Sequence, residues 1–178
     1  MIVFICVTGV IALMQPYCSL ADVNTSIPTV RSEIVNKHNE LRRGVQPPAT
    51  NMKQMNWDKD AAANALKWAN QCRNKESPKK WRKISNSRCG ENRYVSSNER
   101  PWTEVIQSWY NENKDYSYKF NGPIHGKAVN HYTQVVWANS DMIGCAVAFC
   151  PKNKFNYFYV CHYCPPGNVI GRKPYKTK

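Results

Sequence analysis

Apolar residues recur at intervals of three and four along three segments of the chain, which is the spacing of one face of an α-helix. The first segment predicts a helix over residues 29–43 that Gly44 ends. The second begins after Asp58, a residue type that caps helix N-termini. The third begins at Pro101, which suits a first helical turn. The pattern therefore predicts three helices in the first two thirds of the chain.

The later part of the chain has the character of β-strands. Residues 89–95 begin a strand, and residues 142–150 and 156–164 are strand-like segments that a short turn at 151–154 separates. Residues 115–130 are rich in Tyr, Lys, Gly and Asn and are expected to form a long loop, and residues 131–137 are apolar without a clear period. Because helices come first and paired strands follow, we expect an α+β domain in which helices cover an antiparallel sheet.

The N-terminus contains an uncharged apolar run of thirteen residues at positions 2–14. It is too short to span a bilayer but suits the core of a signal peptide. Small residues at Ser19 and Ala21 place the cleavage before Asp22. We therefore expect residues 1–21 to be a signal peptide and the mature protein to be secreted and not membrane-spanning. A buried helix or strand is the alternative for this run.

Removal of residues 1–21 leaves an even number of cysteines. They are Cys72, Cys89, Cys145, Cys150, Cys161 and Cys164. In a secreted chain an even number indicates disulfide bonds, although spacing alone leaves every pairing open. A four-thiolate zinc site over residues 145–164 is the minor alternative. Asn24 begins an Asn-Thr-Ser sequon and is a candidate glycosylation site.

The chain contains 25 Lys and Arg residues against 12 Asp and Glu residues, for a formal net charge of +13. Residues 73–83, which we call the basic loop, carry the densest positive charge. Its cations are Arg73, Lys75, Lys79, Lys80, Arg82 and Lys83. The loop is either a solvated face or a surface for sulfated glycans, sialylated coats or anionic membranes, with Trp81 as an amphipathic contact. We expect no nucleic-acid partner, because no recognition motif is present.

Four short motifs occur in order along the chain: HNELR at 38–42, GEN at 90–92, HYTQVVW at 131–137 and CHYCPPGN at 161–168. Together they resemble the CAP superfamily, which includes cysteine-rich secretory proteins, insect venom antigens and plant pathogenesis-related proteins. Longer strings such as LRRGVQPPATNMKQMNW and YFYVCHYCPPGN resemble the vertebrate cysteine-rich secretory proteins in particular. The resemblance covers nearly all of the expected mature chain.

The resemblance implies a three-layer α-β-α sandwich, which agrees with the order of helices and strands. It also implies one disulfide pattern, namely Cys72–Cys150, Cys89–Cys164 and Cys145–Cys161. We expect a CAP domain over residues 22–175 and a basic tail over residues 176–178. Such proteins usually continue into a cysteine-rich C-terminal domain implicated in ion-channel regulation, and we expect none here because the sequence ends at Lys178.

In the family, a central cleft gathers two histidines and two acids, and the matching positions here are His38, Glu91, Glu112 and His131. Two neutral imidazoles can bind zinc, so we expect His38 and His131 to be weak zinc ligands beside Glu91 and Glu112. The alternative is a hydrogen-bonded network that binds no metal. Arg93 departs from the family pattern, and we expect its cation to lower metal affinity.

No activated nucleophile accompanies these residues, because the mature cysteines are expected to be oxidised and no Gly-x-Ser-x-Gly motif occurs. We therefore expect no enzyme activity, with a metal-assisted hydrolase as one alternative. A shortened secreted member of this family resembles sperm chemoattractants of egg jelly. We thus expect a sperm-surface receptor or cell-surface glycans as partners, bound by residues 115–130 and the basic loop. The other alternative is a venom, salivary or defence protein that binds a sterol or another lipid.

Overall fold

The computed structural model describes residues 22–85 and 87–178, so the predicted signal peptide lies outside the described residues. The helices are α1 (Pro28–Arg43), α2 (Lys59–Ala69), α3 (Trp102–Tyr110) and α4 (Asn130–Val135). The strands are β1 (Asn56–Trp57), β2 (Lys83–Ile84), β3 (Ser87–Arg88), β4 (Gly90–Ser96), β5 (Tyr116–Ser117), β6 (Gly122–Pro123), β7 (Met142–Phe149) and β8 (Tyr157–Cys164). The three predicted helices and the three predicted strands are all present.

The central sheet has four strands in the order β1-β7-β8-β4. Strand β8 is antiparallel to both of its neighbours, which confirms the predicted antiparallel pairing. The short strand β1 runs parallel to β7 at one edge. Two residues are too few to show a sequence period, so β1 escaped prediction.

Side chains of β7 and β8 alternate between two apolar cores, as strand geometry requires. Ile143 and Tyr163 belong to the core that α1, α3 and α4 share. Ala146 and Val160 belong to a second core that α2 covers. The sheet therefore lies between two helical layers, and the expected three-layer α-β-α sandwich is confirmed.

Helix α2 approaches the sheet very closely. Its cap is the predicted one, since Oδ1 of Asp58 accepts a hydrogen bond from the backbone N–H of Ala61 at 2.7 Å. Gly144 of β7 lies beneath the first turn, where a Cβ atom would overlap the backbone nitrogen of Ala62. The close contact between α2 and β7 therefore requires glycine at position 144.

Three disulfides stabilise the sheet, and their pairing is the one that the resemblance implied. Cys72 after α2 is joined to Cys150, which directly follows β7. Cys89 before β4 is joined to Cys164 at the end of β8. A third bridge joins Cys145 to Cys161, which are direct partners in the register of β7 and β8. The four-thiolate zinc alternative is therefore wrong.

A buried arginine connects α1 to the segment between α4 and β7. The guanidinium of Arg42 is almost completely buried. It donates hydrogen bonds to five backbone carbonyls, those of Lys53, Val135, Trp137, Ala138 and Ser140. Burial lowers the pKa of Arg42 to about 10, and the group stays charged at neutral pH. Five carbonyls thus take the place of a carboxylate partner.

Two segments differ from their predicted conformation. The expected long loop over residues 115–130 contains a hairpin of β5 and β6, and the apolar segment of unclear period contains α4. At the C-terminus, the backbone of Lys176 bonds to Thr50 and to the side chain of Asn51. The backbone of Lys176 therefore contacts the segment after α1, and the boundary at residue 175 stays a prediction.

Candidate functional site

One acid and one histidine meet at the start of α4. Glu112 lies in the 3-10 turn Asn111–Asp115, directly after α3. Oε1 of Glu112 lies 2.6 Å from Nδ1 of His131, and the indole of Trp109 stacks beside the imidazole with ring centroids 6.5 Å apart. Both members of the pair remain partly exposed. They can therefore exchange a proton with a molecule at the surface.

A second acid and histidine lie opposite each other within the sheet. Glu91 faces His162 in the antiparallel register of β4 and β8, and Oε2 of Glu91 lies 3.1 Å from Nε2 of His162. Both side chains are fully buried. The backbone N–H of Ser77 donates to Oε1 of Glu91 at 3.1 Å, and Nε of Arg93 lies 3.3 Å from the same oxygen. The guanidinium of Arg93 thus forms an ion pair with Glu91, one of the predicted cleft acids.

These contacts determine the charge of Glu91. Burial alone would raise the pKa of its carboxyl group, but hydrogen bonds from His162 and Ser77 outweigh burial and hold the pKa below its ordinary value. Glu91 is therefore an ionised carboxylate with partners inside the protein on both oxygens. Sequence reasoning missed His162, because only the register of two strands distant in sequence places it opposite Glu91.

His38 has no nitrogen free to bind a metal ion. Its ring is fully buried on α1, with Nδ1 2.8 Å from the carbonyl oxygen of Ile34 and Nε2 2.9 Å from the hydroxyl of Tyr163. Burial, opposed in part by the bond to Ile34, lowers the pKa of His38 to about 4. A neutral ring with both nitrogens engaged in the core cannot also coordinate zinc, so the expected role of His38 as a ligand does not fit this structure.

Three of the four predicted cleft residues, His38, Glu112 and His131, are linked by hydrogen bonds and not gathered around a metal position, whereas Glu91 bonds to His162 and Ser77 instead. The side-chain amide of Asn92 donates to the carbonyl of His131 at 3.0 Å and to the hydroxyl of Tyr163 at 3.4 Å, and that hydroxyl reaches His38. Within residues 22–85 and 87–178, no three His, Cys, Asp or Glu side chains form a group that could hold a metal ion. The hydrogen-bonded network fits these residues better than the zinc site does.

The basic loop presents most, but not all, of its predicted cations to solvent. The exposed ones are Arg73, Lys75, Lys79, Lys80 and Lys83. Arg82 is the exception: it is buried, and its guanidinium donates to Oε1 of Glu76 at 2.9 Å. Trp81 is half-buried and packs edge to face on Trp68, with ring centroids 5.5 Å apart. Neither Arg82 nor the inner face of Trp81 is therefore available to a partner.

The candidate glycosylation site lies at the surface before α1. Asn24 is exposed, and its Oδ1 accepts a hydrogen bond from the backbone N–H of Ser26 at 2.9 Å. The side chain is therefore accessible to a modifying enzyme, and glycosylation of Asn24 stays a prediction.

Comparison with known proteins identifies the family. Residues 35–163 match the sequence model described as "CAP: Cysteine-rich secretory protein family". The chain belongs to the CAP family. Among its CAP relatives, cysteine-rich secretory protein 2 of Cavia porcellus is 46% identical over 155 residues, which cover 85% of this chain and 63% of the relative. Cysteine-rich secretory protein 3 of Homo sapiens is 50% identical over 149 residues, which cover 83% and 60% respectively. The chain thus spans about six tenths of the length of these relatives.

Solved CAP structures share the fold. Venom allergen-like protein 4 of Schistosoma mansoni superposes with a TM-score of 0.70 at 27% identity, covering 83% of this chain and 94% of that one. NaASP2, solved with Zn²⁺, gives a TM-score of 0.72 at 29% identity, covering 85% and 87% respectively. The names of the two cysteine-rich secretory proteins describe secreted proteins. None of the helices in the described part of this chain has the length and apolar character needed to cross a bilayer.

Proposed function

We propose that this chain is a secreted, non-enzymatic CAP protein that binds the surface of sperm and attracts them along a concentration gradient. The proposal includes a signal peptide over residues 1–21, as the apolar run at the N-terminus predicts. The kinship with secretory proteins 2 and 3 supports secretion. The observation that carries the binding role is the exposed positive charge of the basic loop.

The basic loop is charged on its outside and anchored at its ends. Its one acid, Glu76, pairs with the buried Arg82, so the exposed lysines and arginine of the loop lack an acidic neighbour within it. Disulfides at Cys72 and Cys89 hold the chain on either side of the loop. Uncompensated positive charge on a fixed scaffold attracts sulfated or sialylated partners, and salt screens that attraction.

The candidate site favours recognition over catalysis. Glu112 and His131 can transfer a proton, which is the feature in favour of the hydrolase alternative. However, the six cysteines of the described chain are paired in disulfides, which removes the thiol nucleophiles. The geometry of His38 does not fit metal assistance either. The Glu112–His131 pair is better explained as a structural contact that stabilises the start of α4.

A two-chamber sperm-migration assay tests the proposal. We expect directional accumulation in a gradient of oxidised protein, and a loss of accumulation with a Lys75→Glu/Lys79→Glu/Lys80→Glu variant. The matched control Lys59→Glu/Lys114→Glu/Lys152→Glu reverses three other exposed lysines, with the same change in net charge. This control variant should attract sperm as well as the unaltered protein does. It should also be retained on a heparin column as strongly as the unaltered protein. No accumulation with the unaltered protein would overturn the proposal, and equal losses in both variants would exclude the basic loop as the contact.

A further inference from the structure

Exposed apolar side chains are concentrated on two loops outside the basic loop. Four of the large hydrophobic residues most open to solvent in the described chain are Phe120 at 80% exposure, Ile124 at 37%, Val169 at 43% and Ile170 at 98%. Phe120 and Ile124 belong to the first loop, at the β5–β6 hairpin, and Val169 and Ile170 belong to the second, after β8. Apolar side chains that a fold leaves clustered in water commonly mark a binding surface.

The two loops lie side by side. A shallow groove is lined by residues 121–123 of the first loop and by residues 168–172 of the second. Asn168 fixes the second loop to α4, because its Nδ2 donates to the carbonyl of Asn130 at 2.9 Å and its Oδ1 accepts from the hydroxyl of Thr133 at 2.7 Å. The two loops therefore adjoin along this groove, and we call the surface that they form, with Phe120 and Ile124 on either side of the groove residues of the first loop, the two-loop surface.

Local hydrogen bonds hold the tip of the first loop in place. Phe120 lies at the end of the β5–β6 hairpin, where its backbone N–H donates to the hydroxyl of Ser117 at 3.3 Å. The hydroxyl of Tyr116 donates to Oδ1 of Asn121 at 2.9 Å across the same turn. The phenyl ring is thus presented outward by a hydrogen-bonded turn.

The tip of the second loop is a tight turn. The backbone N–H of Arg172 donates to the carbonyl of Val169 at 3.0 Å, and Gly171 takes a positive φ of 76° that glycine adopts without strain. Ile170 is therefore at the corner of the turn, with almost all of its side chain in water.

Positive charge accompanies the apolar tips. Residues 116–130 and 165–178 contain six Lys and Arg residues and no Asp or Glu. They are Lys119, Lys127, Arg172, Lys173, Lys176 and Lys178. Nζ of Lys119 lies 5.5 Å from the centroid of the Phe120 ring, and Nζ of Lys173 lies 4.3 Å from the centroid of the Tyr118 ring. Lys127 has an acidic neighbour, Asp115, at 3.7 Å.

We propose that the two-loop surface binds an anionic phospholipid bilayer, with Phe120 and Ile170 inserted among the lipids and Lys119, Arg172 and Lys173 against the headgroups. Phe120 and Ile170 protrude separately, and a fluid bilayer can accommodate each of these side chains at its own position. Anionic lipid headgroups also attract the Lys and Arg side chains beside them. A folded protein partner would need a matched concave surface. The two-loop surface shares no residue with the basic loop, so its binding can be tested separately from the proposed sperm contact through the basic loop.

Vesicle co-sedimentation of the oxidised protein tests this proposal. We expect binding to phosphatidylcholine vesicles that contain phosphatidylserine, weak binding to phosphatidylcholine alone, and loss of binding as salt increases. The Phe120→Ser/Ile170→Ser variant should bind about tenfold more weakly or worse, because both anchors become polar. The control Leu66→Ser/Phe149→Ser removes two exposed apolar side chains from other parts of the fold and should bind unchanged.

Near-ultraviolet circular dichroism of each variant establishes that the fold is kept. The proposal is overturned if the unaltered protein binds neither vesicle, if it binds both equally, or if the Phe120→Ser/Ile170→Ser variant binds as well as the unaltered protein. Loss of binding in the Lys75→Glu/Lys79→Glu/Lys80→Glu variant alone would also overturn it, because the membrane contact would then belong to the basic loop. If the unaltered protein binds no vesicles and the Phe120→Ser/Ile170→Ser variant attracts sperm more weakly, the two-loop surface binds a protein partner and the membrane proposal is overturned.

Discussion

The carboxylate of Glu112 contacts His131 at two separate points. Oε1 lies 2.6 Å from Nδ1 of the ring, while Oε2 accepts hydrogen bonds from the backbone N–H groups of His131 at 2.9 Å and Tyr132 at 3.1 Å. Glu112 thus accepts hydrogen bonds from the first turn of α4 and orients the partly exposed imidazole of His131. It replaces the side-chain cap that α4 lacks at Val129.

Removal of this carboxylate should destabilise the protein. We expect Glu112→Ala to lower the free energy of unfolding by about 1–3 kcal/mol, because two backbone donors and a ring nitrogen lose their acceptor. Glu112→Gln keeps one acceptor oxygen and should lose less. Urea denaturation at neutral pH measures both. The control Glu104→Ala, at an exposed position of α3, should change stability by less than about 0.5 kcal/mol; an equal loss at both positions would contradict the capping role.

Stability should depend on pH through His38. The pKa of this ring is about 4 in the folded protein, against an ordinary value of 6.5. The unfolded chain therefore binds the proton more tightly, and the contribution of His38 to stability is complete above pH 6.5 and lost as the pH falls to about 4. The loss is on the order of 3 kcal/mol.

The test compares urea denaturation of the unaltered protein and a His38→Phe variant across this pH range. The variant loses the bond to Tyr163 and should be less stable at neutral pH. Its stability should nevertheless fall less steeply on acidification, because it has no ring to protonate at this position. Parallel pH profiles for the two proteins would show that His38 does not carry the effect.

Arg42 should be among the positions least tolerant of substitution. Arg42→Met removes the guanidinium donor from five carbonyls, of which those of Trp137 and Ala138 keep a backbone N–H donor, and we expect a loss of about 3–5 kcal/mol in urea denaturation. Arg42→Lys should also destabilise, because one ammonium group cannot reach all five oxygens. The adjacent Arg43 is exposed, so Arg43→Met is a matched control with little expected effect. Similar losses for Arg42→Met and Arg43→Met would refute the assigned role.

Gly144 should resist even the smallest substitution. The added methyl group of Gly144→Ala would overlap the backbone of Ala62, so α2 would have to move from the sheet. We expect a loss of about 3 kcal/mol or more, or failure to fold. In the control Gly44→Ala, the new Cβ would have backbone neighbours no closer than 3.7 Å, and the melting temperature should change little. A mild effect at position 144 would mean that the helix relaxes at low cost.

The sequence predicted the elements whose signals are local and long enough to repeat. The helical period before Gly44, the Asp58 cap and the two strands of the β7–β8 hairpin all fall in this class. The short elements β1 and α4 contain too few residues to show a period. The disulfide pairing came from family resemblance, since cysteine spacing alone could not select it.

The candidate site was harder to predict because contacts between residues that are distant in sequence create it. His162 meets Glu91 only through the pairing of β4 and β8, and Arg42 finds its carbonyls only when the segment after α4 folds over α1. His38 was expected at a metal site, yet it lies on the buried face of α1 together with Ile34 and Leu41.

The bridge between Cys72 and Cys150 has a consequence for proteolysis. Exposed lysines of the basic loop are natural targets for trypsin-like proteases, and a cut at Lys79 or Lys80 would separate the segment that ends there from the rest of the backbone. Cys72 lies before the cut and Cys150 after it, so one covalent link would still join the two pieces. A nicked molecule would keep its apparent size on a gel until a reducing agent divided it.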